Sequence, residues 1–229
     1  MMDKDRALAT VAARLGDLVD QVAFLGGAVV SFLVTDAGAF RPRETDDVDL
    51  IVRAETTIEY SLSLRVKLVA RGFHEDPESS STCRWIVDGI PVDIMPPVAS
   101  VLGFTNRWYT RALATAVPFV LDGGEVIKVV TAPYFIATKL VAFNDRGRGD
   151  YLESRDLSDI VDVIDGREAL PQELLEADDE VRAFIASEVG CLLNEPAFLE
   201  ALPGLMQTDE ASQARLPLLL ARLRAIAAA

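Results

Sequence analysis

The stretch from Phe24 to Val52 constrains the fold more than any other part of the chain. A Gly26-Gly27 pair separates an apolar run, Val22 to Leu25, which reads as a strand, from a helix expected over Ala28 to Leu33. Further on, Asp47 just precedes, and Asp49 lies within, a run from Val48 to Val52 that reads as a second strand. Side chains two apart on a strand share a face, so both carboxylates project together, an arrangement that holds a divalent cation through oxygen ligands. Glycines at the mouth of a helix let backbone N–H groups approach an anion, where the helix dipole favours negative charge. The same residues also read as an ordinary tight turn and a solvated strand end. The choice rests on what the rest of the chain supplies.

At 229 residues, half of them apolar, the chain can bury a full core, and one domain with a helical appendage is the natural expectation. No apolar run is long enough to cross a bilayer, and the start Met1-Met2-Asp3-Lys4-Asp5-Arg6 lacks the basic-then-apolar profile of a signal peptide. A cytoplasmic protein with no membrane partner is expected. Cys83 and Cys191 belong to no C-x-x-C, which favours buried thiols over a disulfide or a zinc site. The net charge of -14 argues against nucleic acid only superficially, because residues 150–229 hold 17 acids and 6 bases while residues 1–149 hold 19 and 16. A local basic rim from Arg41, Arg43, Arg84, Arg107, Arg111, Arg146 and Arg148 is compatible with that distribution, as is a plain scatter of surface arginines.

Helical spacing of Leu8, Val11, Leu15, Leu18 and Val22 predicts an amphipathic helix from Asp3 to about Gln21. Residues 35–45, with Gly38 and Pro42, read as a loop before the acidic strand. Residues 56–70 carry Ile58, Leu62, Val66 and Val69 on one stripe, predicting a helix that Gly72 ends. Asp88-Gly89 between apolar runs predicts a type I′ hairpin over Cys83 to Met95. Within it Asp93 is an isolated acid in a strand that otherwise reads as core. Burying a lone carboxylate costs several kcal/mol in order of magnitude, so Asp93 either joins Asp47 and Asp49 as a third ligand or faces water. The cluster Arg107-Trp108-Tyr109-Thr110-Arg111 either stacks a base or packs a core edge. A helix from Thr131 carries one lysine, Lys139, in a nearly apolar body, so that lysine must snorkel to water or meet an anion. The Arg146-Gly-Arg148-Gly-Asp150 loop either guides a polyanion or only joins helices. Beyond Gly166 the chain turns acidic and helical.

Gly26-Gly27 followed by Asp47-Val48-Asp49 resembles the first motif of the nucleotidyltransferase superfamily. Lys139 and then Arg155-Asp156-Leu157-Ser158-Asp159 are similar to a second signature of the AbiEii/MenT-type nucleotidyltransferases, some of which are toxins of bacterial toxin–antitoxin pairs. Together these motifs span most of residues 22–165 in the family's order. The resemblance implies an α+β fold, with a polymerase-beta-like core of mixed twisted sheet flanked by helices and a C-terminal helical region. It divides the chain into a catalytic core at 1–150 and a helical region at 151–229. It implies a metal-dependent, pyrophosphate-releasing transfer of an NMP from an NTP to an acceptor hydroxyl, most naturally the 3′ end of tRNA. Asp47, Asp49 and Asp93 would hold Mg²⁺ or Mn²⁺. Gly26, Gly27, Thr45 and Lys139 would contact the NTP, and Asp156 would assist catalysis or orient the lysine. Structurally, Asp156 also suits a helix cap. A cognate antitoxin is an implied partner and DNA is not. The alternatives are a degenerate binding protein of the same fold, acting as antitoxin or scaffold, and a transferase acting on small molecules or proteins.

Other chemistries find little support. His74 is the single histidine and sits between Gly72 and Asp76 in what reads as a loop. The chain has no Gly-x-Ser-x-Gly elbow, Walker loop or Rossmann fingerprint.

Overall fold

The structure, a computed structural model, describes residues 4–39, 43, 45–54, 56, 58–97, 106–147 and 149–229. Arg41 and Arg148 lie outside the described residues. The chain divides into two compact units, one of Met1–Val29 with Glu44–Thr131 and one of Val30–Arg43 with Ala132–Ala229.

In the first unit, helix α1 (Lys4–Leu15) buries Leu8, Val11 and Leu15, as its helical spacing predicts. A 3-10 turn, Gly16–Gln21, leads into strand β1 (Val22–Leu25), all four residues of which are buried. After Gly26 a second 3-10 turn, Gly27–Val29, continues along the chain into α2 (Val30–Leu33), which belongs to the second unit. The acidic strand forms as expected: β2 is Val48–Val52, apolar and buried except at Asp49.

Next comes a π-helical turn, Glu59–Leu64, and α3 (Arg65–Ala70). The helix is present, but the stripe that predicted it faces outward: Ile58 is 70% exposed, Leu62 63% and Val66 70%. Tyr60, Leu64 and Leu68 make the buried side instead, and the Tyr60 hydroxyl donates to the Ile94 carbonyl at 2.6 Å. Both sets repeat every four residues, so periodicity cannot choose between them. The tyrosine's partner on the sheet does.

Residues read as a loop around His74 form a short edge strand, β3 (His74–Glu75). Strands β4 (Arg84–Val87) and β5 (Ile90–Met95) make the predicted hairpin, with Asp88 at φ 48° and Gly89 at φ 78°, the pair of positive values a type I′ turn needs. Helix α4 (Tyr109–Ala114) resolves the aromatic-basic cluster as core: Trp108 and Tyr109 are buried, and the Tyr109 hydroxyl donates to Met95 Sδ. Strands β6 (Val117–Val120) and β7 (Val126–Val129) close the unit, β6 being a largely exposed edge that the sequence reading did not contain.

Among the described residues the seven strands form one mixed sheet, ordered β3-β4-β5-β2-β1-β7-β6. β2 pairs β5 in parallel and β1 in antiparallel fashion, and β1 pairs β7 in parallel. The acidic strand therefore lies near the centre of the sheet. Phe24, Leu50, Ile51 and Ile94 are fully buried around it.

The second unit is helical. It comprises α5 (Ala132–Ala142), a π-helical turn Phe143–Gly147, α6 (Arg155–Gly166), α7 (Leu170–Glu176), α8 (Asp179–Leu193), α9 (Pro196–Leu205), α10 (Glu210–Gln213) and α11 (Leu216–Ala227). α6 buries Leu157, Ile160, Val161, Val163 and Ile164. At its end a Cβ on Gly166 would press into the Val34 side chain, and the Gly166 carbonyl accepts from the N–H groups of Thr35 and Asp36 at 2.8 and 2.9 Å. The start of the expected loop is thereby fixed to this unit, and Arg215 adds an ion pair to Asp36 at 2.8 Å. Cys83 is buried as expected, whereas Cys191 is exposed, and both are free thiols. No helix among the described residues is long and apolar enough to cross a membrane.

Candidate active site

Asp49 sits where three strands set it. In register it faces Leu25 of β1 on one side and Asp93 of β5 on the other. Neighbours in register project to the same face of a sheet, so Asp49 and Asp93 are adjacent carboxylates beside the turn that follows Leu25. That turn holds Gly26 at φ 74°, and a Cβ there would collide with the Asp49 carboxylate. Glycine is required twice, by the backbone angle and by the closeness of Asp49. Thr45 is buried, and its hydroxyl donates to Asp47 Oδ1 at 2.9 Å, aiming that carboxylate from just before β2. Gly26, Thr45, Asp47, Asp49 and Asp93 thus gather in the first unit, with Gly27 next in the chain.

A cation already lies among these acids. Arg84, opposite Asp93 across the hairpin, donates Nε to Asp93 Oδ1 at 2.5 Å and one terminal nitrogen to Asp93 Oδ2 at 2.8 Å and Asp47 Oδ2 at 3.2 Å. Hydrogen bonding to Asp93 first, and then the charges of Asp93, Asp47 and Asp49, hold the guanidinium proton more tightly than usual, against the opposing effect of burial. Asp93 is accordingly neither buried alone nor simply turned to water.

The donor chemistry here suits a hard divalent cation, since all three acids offer carboxylate oxygens on one sheet face. The guanidinium bridging Asp47 and Asp93 stands where positive charge is wanted. As placed around Arg84, however, no three acidic, histidine or cysteine side chains among the described residues surround one point as metal ligands.

Lys139 and Asp156 belong to the second unit. Lys139, on α5, meets Asp156 Oδ1 at 3.0 Å and Asp159 Oδ2 at 2.6 Å, so this lysine is answered by anions rather than by water. The helix cap of α6 is Ser154, whose hydroxyl accepts from Leu157 N, and not Asp156. Asp156 instead takes Arg146 in a bidentate pair at 3.0 Å. Burial pushes the Asp156 carboxyl up, but the hydrogen bond from Arg146 and the charges of Lys139 and Arg146 outweigh it and hold the group below the usual carboxylate range. Asp159, fully buried, also receives Arg43 Nε at 2.9 Å and a terminal nitrogen at 3.1 Å. Arg43, near the end of the loop expected over residues 35–45, is tied to α6.

Two participants escaped the sequence reading. Asp159 closes the Arg155–Asp159 segment, and nothing in its spacing shows that α5 approaches α6 there. Arg84 belongs to the arginines that suit either a basic rim or a surface scatter, yet its place is legible. A two-residue turn at Asp88-Gly89 pairs Val87 with Ile90 and so must pair Arg84 with Asp93.

An acid pair at strand spacing, a third acid in register on a parallel neighbour and a glycine turn against them thus stand together near the centre of the sheet. A family model for the nucleotidyl transferase AbiEii toxin of type IV toxin–antitoxin systems matches residues 6–227, and the chain belongs to that family. Its architecture is correspondingly the α+β nucleotidyltransferase core, with a mixed sheet flanked by helices and a helical C-terminal region. A solved structure described as a candidate nucleotidyltransferase from H. pylori is similar at 11% identity and a TM-score of 0.48, covering 98% of this chain and 92% of the other. No curated protein matches the chain.

Proposed function

We propose that the protein transfers an NMP from an NTP to an acceptor hydroxyl and releases pyrophosphate, as the toxin of a toxin–antitoxin pair acting in the cytoplasm. The observation that carries this reading is Asp49, set in register between Asp93 and the residue before the Gly26 turn, with Asp47 two residues away. Family membership supports the reaction class.

Asp47, Asp49 and Asp93 would hold Mg²⁺ or Mn²⁺. Such ions, when bound, neutralise phosphate oxygens and stabilise the entering and leaving oxygens of an in-line displacement. Thr45 keeps Asp47 aimed, which limits the reorganisation needed on loading. Gly26 and Gly27, which bring no side chain of their own to the turn, are assigned to the phosphate tail, with the Asp49 carboxylate lying against Gly26. Lys139 supplies a cation for the triphosphate, poised by Asp156 and Asp159. Asp93 is the acid assigned to accept the proton of the acceptor hydroxyl. For the acceptor we assign the 3′ end of tRNA, on resemblance to the MenT-type enzymes; the exposed guanidinium of Arg146, beside Asp156, suits a polyanion.

Incubation of the purified chain with each labelled NTP, Mg²⁺ and total RNA tests the reading. Label is expected in the tRNA fraction and is expected to vanish in Asp49→Ala. Failure to label RNA, protein or a small-molecule panel, or undiminished labelling by Asp49→Ala, would overturn it.

A further inference from the structure

We propose that Arg84 is the built-in counter-cation of the acid site, a positioning residue that holds Asp93 and Asp47 while no metal is bound and must leave them when a divalent cation binds. The inference rests on the nucleotidyltransferase reading above but concerns a residue to which that reading gives no part.

Three features of the structure lead to it. Asp49 and Asp93 lie directly opposite each other on neighbouring strands, a placement that is destabilising for like charges without a cation between or beside them. Arg84 answers that need with two hydrogen bonds to Asp93 and one to Asp47. Because it engages both oxygens of Asp93, the guanidinium and a metal ion compete for the same carboxylate. The side chain is also able to leave: it is 26% exposed and stems from β4, the second strand of the sheet from the β3 edge. An arginine does not lose its proton in a protein, so raising the pH does not release it. At neutral pH a stronger cation for the acids, or an anion for the guanidinium, displaces it.

The consequence is a site whose metal affinity is held down by one side chain, and which stays ordered when empty of metal. The test is Mn²⁺ binding to the full chain by titration calorimetry and electron paramagnetic resonance, without nucleotide. Arg84→Gln is expected to bind Mn²⁺ at least tenfold more tightly than the parent. Arg53→Gln removes the same charge four residues beyond Asp49, roughly 13 Å away at the rise of an extended strand, and is expected to change affinity less than twofold. Arg84→Lys, which keeps the charge but cannot grip both oxygens of Asp93, is expected to fall between and guards against misfolding of the glutamine variant.

Melting in chelator gives a second readout. Arg84→Gln should melt below the parent and regain the difference in Mn²⁺, because the metal then supplies the missing charge. Equal Mn²⁺ affinity in the parent and both Arg84 variants would overturn the proposal while leaving the metal site intact, and so would an equal gain in Arg53→Gln. A melting deficit that Mn²⁺ does not restore would make Arg84 a structural ion pair only. Absence of Mn²⁺ binding in every variant would overturn both this proposal and the metal-site reading.

Discussion

Removal of Asp159 is the sharpest perturbation of the helical unit. Its carboxylate is fully buried and touches two cations, Lys139 Nζ at 2.6 Å and the Arg43 guanidinium at 2.9 and 3.1 Å. Lys139 itself is only 12% exposed. In the cluster two carboxylates, Asp156 and Asp159, face three cations, Arg43, Lys139 and Arg146. Asp159→Ala leaves one carboxylate facing three cations, two of them mostly screened from water. Breaking a buried pair by deleting one partner costs about 3–5 kcal/mol. For a chain of this size each kcal/mol moves the melting temperature by about 2–4 °C, so a fall of about 6–20 °C is expected by calorimetry. Arg146→Ala provides the contrast, since that side chain is 71% exposed and screened pairs contribute about 0–1 kcal/mol. If Asp159→Ala melts within about 2 °C of the parent, or no lower than Arg146→Ala, the cluster is not held by buried charge and the argument for a poised Lys139 fails.

Two further outcomes follow from particular residues. Gly26→Ala places a side chain at φ 74° and against the Asp49 carboxylate; it is expected to destabilise the chain by about 1–3 kcal/mol in urea titration and to weaken Mn²⁺ binding, whereas Gly89→Ala, with open space around it, should show only the backbone strain. Asp156 has its folded-state pKa below the ordinary value near 4, so its contribution to stability is fully present above about pH 4 and is lost as pH falls through the lower folded value. Stability measured from pH 6 down to pH 2 should therefore decline less steeply in Asp156→Asn than in the parent.

Several elements are written locally and could be read without coordinates. The Asp88-Gly89 turn admits one tight geometry because two successive residues need positive φ, and that turn alone fixes the β4–β5 register. The apolar runs of β1 and β2 and the helical spacing of α1 come from short-range periodicity, which depends only on the backbone repeat. The acids Asp47, Asp49 and Asp93 stood out for the same reason, as charges interrupting such runs.

Other features depended on which chain segments meet, and sequence periodicity carries no such information. Residues 58–70 hold two apolar series of similar period, and the contacts made by Tyr60, Leu64 and Leu68, the hydrogen bond from Tyr60 to β5 among them, mark the buried one. Trp108 and Tyr109 became core through burial that their own neighbours do not encode. Most of the electrostatics also belongs to this class. That Lys139 meets Asp156 and Asp159, that Arg43 reaches α6, and that Asp49 stands beside Asp93 follow from helix packing and strand order. Local rules choose the elements and their faces; long-range packing chooses the partners, because the energy of a buried charge depends on the oppositely charged group placed against it.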